Sequence, residues 1–248
     1  MQRRLQKRVR KAQELMGIGS GEDVSSSGEA SVFETLKQSS ATSYTVFDIG
    51  ANQGQFLKLT LDNLQMDKLT IHCFEPGVQT FKMLSDSAVK NERIKLNNIG
   101  MGNKKYEATL HFDAAGSGLA SLTKRQLDHF DIEMNESETV RIDTIDNYCA
   151  ENQITHIDLL KIDIEGHELD ALEGASGMFA KQAIDTVTFE FGGCNIDTKT
   201  YFRDFWNFFV NLDFKLYRIT PSGYLYEINS YKEILEQFRT SNFLAKRN

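Results

Sequence analysis

The stretch VFDIGANQGQF, residues 46–56, runs an apolar segment into a glycine-rich turn with an acid, Asp48, at its mouth. A short apolar run bounded by glycine reads as a buried strand, and backbone bends this way where it must come close to a small ligand. Working outward, further apolar runs follow: KLTIHCFEP, RIKLNNIG, IDLLKIDIEG, IDTVTFEFG, and a closing pair, FKLYRIT and YLYEI. Between them GQFLKLTLDNLQ, VQTFKMLSDSAVKN, HELDALEGASGMFAKQ and TYFRDFWNFFVNL carry apolar residues at three- and four-residue spacing, the mark of crossover helices. This alternation predicts an α/β fold, a mostly parallel sheet with helices on both faces. The turn TPSG, with Pro221 and Gly223, predicts that the closing pair forms an antiparallel hairpin. Residues 104–138 break the rhythm with a strand-like YEATLHF and a Gly/Ser-rich AAGSGLAS, and read as a lid-like excursion.

The 248 residues, 40% hydrophobic and 10% aromatic, suffice for one substantial core. The formal charge of −7 is uneven: MQRRLQKRVRK at the N-terminus holds six of the 28 bases and no acid, leaving 22 bases against 35 acids. So acidic a body does not suit nucleic acid, which needs clustered bases to displace counterions. Leu5, Val9, Ala12 and Met16 fall at helical spacing within and after the basic run, so this tail suits an anionic membrane surface or partner, or else a solvated helix. Residues 17–31, GIGSGEDVSSSGEAS, have the composition of a flexible linker. The expected organisation is a basic tail and linker over 1–31 and one catalytic domain over 32–248. No apolar run approaches the about 20 residues that span a bilayer and no secretory signal is visible, which predicts a cytoplasmic protein. Cys73, Cys149 and Cys194 are odd in number and far apart, and read as reduced packing residues.

Ligands of open α/β sheets sit at the carboxyl ends of the strands, beside the first strand's turn. A pyrophosphate there calls for Gly-x-Gly-x-x-Gly, but Asn52 and Gln55 stand where the second and third glycines would be. What remains is Asp48, Gly50 and Gly54, followed by Glu75 at the end of the second strand, where a carboxylate can accept two ribose hydroxyls. Ribose without a diphosphate means a nucleoside, and an acidic turn suits a cation. S-adenosylmethionine has both properties. Asp48, Gly50, Asn52 and Gly54 are assigned to its methionine and ribose side and Glu75 to its ribose. Asn98 in LNNIG is a candidate for the adenine edge, or a strand-end turn residue.

The segments FDIGANQG, CFEP, IDLLKIDIEGHELDALEGA and TVTFEFG, in that order, resemble the FkbM-type S-adenosylmethionine-dependent methyltransferases over residues 46–226. The resemblance implies the seven-strand methyltransferase variant of the Rossmann architecture, ending in the antiparallel hairpin. It also implies O-methylation of a hydroxyl on a sugar, polyketide or related small molecule.

In LLKIDIEGHE, two-residue alternation puts Lys161, Asp163 and Glu165 on one face. Charges there need partners, and Glu190 or Asp163 is the expected partner of Lys161. Asp163 and His167 are the candidate catalytic pair facing an acceptor hydroxyl, His167 as proton acceptor or alternatively as a helix-start residue. Asp163, Glu165 and His167 would also suit a hard divalent cation if they converged, but the spacing fits no fixed metal motif and a metal is the less favoured reading. The aromatic helix, Tyr201 to Phe209, reads as core. The resulting expectation is a methyltransferase acting on a small-molecule hydroxyl, with a sugar foremost. The rivals are a nicotinamide-dependent oxidoreductase, or a non-catalytic cofactor-binding scaffold docking through its basic tail. Acceptor identity and oligomeric state are open at this level.

Overall fold

Eleven strands and nine α-helices alternate along the chain in a computed structural model that describes residues 1–39 and 41–248. In order they are α1 (Gln2–Leu15), α2 (Ser31–Lys37), β1 (Tyr44–Ile49), α3 (Gln55–Asn63), β2 (Leu69–Phe74), α4 (Val78–Ser87), β3 (Ile94–Asn97), β4 (Gly100–Met101), β5 (Tyr106–Phe112) and β6 (Glu136–Asp143). Then come α5 (Ile145–Glu151), β7 (Ile157–Ile162), α6 (Glu168–Glu173), α7 (Ser176–Ala180), β8 (Ile184–Phe191), α8 (Cys194–Thr198), α9 (Phe202–Asn211), β9 (Phe214–Ile219), β10 (Leu225–Ile228) and β11 (Ser241–Arg247).

The main sheet runs β10-β9-β11-β8-β7-β1-β2-β3. Its β3, β2, β1, β7 and β8 are parallel neighbours, whereas β11 lies antiparallel between β8 and β9. The expected hairpin is present as β9 and β10, closed by Gly223 N–H donating to Thr220 O at 2.8 Å. The strand count differs from expectation: there are eight strands, not seven, because β11 enters the sheet from the C-terminus and pushes the hairpin outward.

Alternation along the strands builds two cores. Phe47 and Ile49 of β1, with Leu160, Ile162, Val187 and Phe189, face α5, α6, α7 and α9. Val46, with Ile71 and Leu159, faces α2, α3 and α4 through Val32, Phe33, Phe56 and Leu84. Phe205 of α9 stacks on Phe189 at 4.8 Å, so the aromatic helix is core as its spacing predicts. The single crossover helix expected after β7 is broken into α6 and α7 at Gly174, where a Cβ would stand 2.1 Å from Gly102 O of the excursion. The three cysteines are buried and free.

The excursion belongs to a second sheet, β4-β6-β5, that spans residues 100–143, and the long loop between β5 and β6 turns back over the carboxyl ends of the main strands, where Gly116 O, Ser121 Oγ and Thr123 Oγ1 bond Gln53, Glu165 O and His167. At the N-terminus, α1 buries no residue, and no helix among the described residues is long and apolar enough to cross a membrane. Residues 17–31, linker-like in composition, are packed as a strap. Ile18, Ser27 and Glu29 are buried, Gly21 N–H donates to Thr240 O at the entry to β11 (3.1 Å), and Arg218 Nε donates to Met16 O (2.7 Å). The strap's glycines explain the composition: Gly17 (φ 84) and Gly28 (φ 88) lie so close to β9 that a Cβ would meet Ile219 O at 2.1 Å and Thr220 O at 2.0 Å.

Candidate active site

The turn after β1 is built on close approach. Gly50 has φ 78 and its Cβ would lie 1.8 Å from Asp163 O, so only glycine lets the ends of β1 and β7 meet. The Gly50 and Ala51 N–H groups both donate to Phe74 O, at 3.0 and 2.9 Å. Asn52 (φ 46) then donates its N–H to Glu75 Oε2 at 3.1 Å, while Gly77 N–H donates to Oε1 at 2.9 Å. Burial pushes the Glu75 carboxyl up to about 7, against those two donors.

Beneath the turn, register places Asp48 opposite Lys161 across β1 and β7, both on the same sheet face. Lys161 Nζ lies 3.0 Å from Asp48 Oδ1 and 3.6 Å from Asp163 Oδ2, and donates to Gly50 O at 2.8 Å. Burial opposes its charge, but Asp48 and Asp163 outweigh that and hold the ammonium above the ordinary lysine range. Of the two expected partners Asp163 is met at 3.6 Å and Glu190 is not, while Asp48 comes closer still, because register, not strand order, decides which side chain meets Lys161. Among the described residues Glu190, at the end of β8, has no ion-pair partner. Burial, then Asp163 and Glu165, drive its carboxyl well above the usual range.

Two connected spaces open over this row. The inner chamber is walled by Ile49, Phe74, Met101, Leu110 and Ile142, and rimmed by Asn52, Glu75, Ser121 and His167. The outer cleft, about 1440 Å³, lies between the β1 turn, the strap, residues 125–132 and the ends of β7 and β8. Gly50, Asn52, Gly118, Asp163 and Glu165 line both, so the two spaces meet at Asp163. Pockets for drug-sized ligands run to about 300–1,000 Å³, so the cleft has room for a cofactor arm and an acceptor together.

The structure sorts the residues singled out from sequence. Gly50, Asn52, Glu75, Asp163 and Glu165 come together on these walls. Asp48 is fully buried beneath them and lines neither space. Gly54 caps α3 with φ 95 and packs against Leu84, again outside both. Asn98 does not face the chamber either: its Nδ2 donates to Glu75 O and Pro76 O, both at 2.9 Å, and so holds the Glu75 turn, as a strand-end asparagine does. His167 borders only the inner chamber, with both ring nitrogens engaged: Nδ1 with Asp170 Oδ2 at 2.8 Å and Nε2 with Thr123 Oγ1 of the excursion at 3.0 Å.

Asp163, Glu165 and His167 do not converge as metal ligands among the described residues. Glu165 sits instead with Glu190 and Cys194, their ligand atoms within 4.8 Å of one another, because Glu165 has φ 55 and leaves the strand's alternation. Glu165 pairs with Arg125 from the excursion, yet burial still pushes its carboxyl up to about 8. Glu168 supports the loop, its Oε1 accepting from Ile164 N–H (3.1 Å) and Gly166 N–H (3.0 Å). Sequence reasoning missed Glu29, Arg125 and the apolar wall from β4 to β6. Only the alternation in β5 and β6 signalled the wall, and nothing local marked the other two.

The methyltransferase FkbM domain model matches residues 48–216. The 2-O-methyltransferase NoeI of Sinorhizobium fredii is 24% identical over 153 residues, covering 55% of this chain and 59% of that protein. A crystal structure of methyltransferase FkbM from Methylobacillus flagellatus KT aligns with TM-score 0.48 at 17% identity, over 86% of this chain and 47% of that one. The plantazolicin methyltransferase BpumL in complex with SAH aligns with TM-score 0.46 at 10% identity, over 90% and 83%. The chain thus spans 59% and 47% of the lengths of the first two relatives. With more than half of its length matched by the domain model, this chain belongs to the FkbM methyltransferase family.

Proposed function

We propose that the chain is an S-adenosylmethionine-dependent O-methyltransferase whose acceptor is a hydroxyl of a saccharide or other small molecule. The observation that carries the cofactor reading is the polar rim of the inner chamber. Each Glu75 oxygen takes one backbone N–H, which leaves lone pairs for two ribose hydroxyls. Beside it, Asn52 Oδ1 is buried with no donor, an orphan acceptor on the wall of both spaces. Met101, Ile142 and Leu110 give the inner chamber, about 80 Å³, an apolar wall against which the edge of a purine would lie. Glu75 and Asn52 would hold the nucleoside, with Gly50 providing the close backbone approach.

When bound, the cofactor supplies an electrophilic methyl group on a positively charged sulfur. The chain's own part is to bring an oxygen into line with it and to take its proton. Asp163, at the junction of the two spaces and with its side chain 39% exposed, accepts the hydroxyl's hydrogen bond and its proton on this reading. Glu165 and Glu190 on the outer wall supply further acceptors for a polyhydroxyl compound. His167 acts as a positioning residue, tying the excursion to the start of α6 through Thr123. Oxygen as the target is supported by the name of the S. fredii relative, a 2-O-methyltransferase.

The test is transfer of labelled methyl from S-adenosylmethionine to a panel of saccharides and other hydroxyl compounds, with mass spectrometry of the products. The expected product is a base-stable ether, and Asp163→Asn should lower its formation by about a hundred- to ten-thousandfold. Base-labile ester or amine products, or full transfer by Asp163→Asn, would overturn the reading.

A further inference from the structure

The strap delivers a carboxylate that the proposed chemistry has not used. Glu29, just before α2 and upstream of the matched domain, is 6% exposed and lines the outer cleft together with Gly50, Asn52, Lys161 and Asp163. Its Oε2 accepts from Ser27 Oγ at 2.7 Å, and no other side-chain or backbone donor reaches its carboxylate among the described residues. Lys161, the nearest cation in charge terms, already has Asp48 at 3.0 Å and Gly50 O at 2.8 Å. A carboxylate held that deep with one neutral partner is costly unless something positive or proton-donating arrives, and burial accordingly pushes it up to about 7.

Its position is no accident of a loose terminus. Gly28 is held against Thr220 O and Gly17 against Ile219 O, while Gly19 N–H donates to Ser241 Oγ at 3.3 Å and Gly21 N–H to Thr240 O at 3.1 Å. These contacts fix the strap on β9 and on the entry to β11, at both ends of the segment that carries Glu29.

We infer that Glu29 binds a ligand ammonium group, the α-ammonium of the cofactor's methionine portion. This rests on the cofactor reading above. If Glu75 holds the ribose from the inner chamber, the amino-acid arm leaves past Gly50, Asn52 and Asp163, the residues common to both spaces, and enters the outer cleft where Glu29 stands. A charge-assisted hydrogen bond from the ammonium supplies the partner that Glu29 lacks. The strap thereby becomes part of the binding site.

The experiment compares S-adenosylhomocysteine with methylthioadenosine, thioethers sharing adenosine but differing in the amino-acid arm, by calorimetric titration of the full chain. Glu29→Gln should weaken the homocysteine ligand by about ten- to a hundredfold and leave methylthioadenosine unchanged. Glu29→Asp, which keeps the charge, should retain most of the preference and covers the case in which the glutamine variant does not fold. Equal losses for both ligands, or no loss for either, would overturn the role of Glu29 while leaving the cofactor reading in place. Failure of the folded wild-type chain to bind either ligand would overturn both.

Discussion

Replacing Lys161 by Met tests whether the buried pair beneath the turn holds the site together. The side chains are similar in length, so the change removes charge more than volume. What it leaves is Asp48, 0% exposed, with its only ion-pair partner among the described residues gone. Breaking a buried pair from one side costs about 3–5 kcal/mol, whereas replacing both members by apolar residues is often neutral. For a domain of this size each kcal/mol moves the melting temperature by about 2–4 °C, so Lys161→Met should melt about 6–20 °C lower. The double variant Asp48→Leu, Lys161→Met should recover most of that loss, less the one hydrogen bond to Gly50 O.

The pH dependence has a definite sign. Burial is the largest influence on Asp48 and raises its carboxyl, and without Lys161 nothing opposes it. A carboxylate whose folded pKa lies above its unfolded value costs stability above the unfolded value, and that cost vanishes as pH falls below it. The deficit of Lys161→Met relative to wild type should therefore shrink toward about pH 4. Thermal denaturation followed by circular dichroism, at several pH values, reads all of this. A single variant as stable as wild type, or a double variant as unstable as the single one, would refute the pairing argument.

Other perturbations follow from the same geometry. Gly50→Ala puts a methyl into Asp163 O and forces a left-handed residue, which costs about 1–2 kcal/mol for conformation alone. It should abolish adenosyl-ligand binding in calorimetry while the chain stays folded, and unchanged affinity would contradict the close approach at the turn. Glu75, raised to about 7, accepts hydroxyls best when ionised, so methylthioadenosine affinity should rise as pH climbs through about 7 and flatten in Glu75→Gln; a pH-independent wild type would count against the ribose assignment. Gly28→Ala drives a Cβ into Thr220 O, so the strap should lift and limited proteolysis should cut near residues 17–31 far faster than in wild type. Equal cutting rates would show the strap to be loose from the start.

Of the five parallel strands, β1, β2, β7 and β8 are legible because each, largely buried on both faces, leaves a near-continuous apolar run, while the edge strand β3 keeps only Ile94 buried. The run SNFLAKR, which forms β11, was not singled out. It follows a long connection after β10. No local signal tells that the last strand inserts between β8 and β9. Composition misled for residues 17–31, where Gly17 and Gly28 serve positive φ and backbone contact and give no slack. Asp48 and Asn98 were recognised as special for sound reasons, but their side chains support the turn from behind. Spacing along one strand finds polar residues at a site; which of them face the ligand depends on neighbouring strands.

On the proposed reading the chamber at Gly50, Asn52 and Glu75 binds an adenosyl nucleoside and no dinucleotide. Its most direct test is calorimetric titration of the full chain with S-adenosylmethionine and S-adenosylhomocysteine, in parallel with NAD and NADP, repeated on Glu75→Ala. Saturable binding of the adenosyl pair alone, weakened by the substitution, is the predicted result. Binding of a dinucleotide instead, or adenosyl binding indifferent to Glu75, would contradict the account.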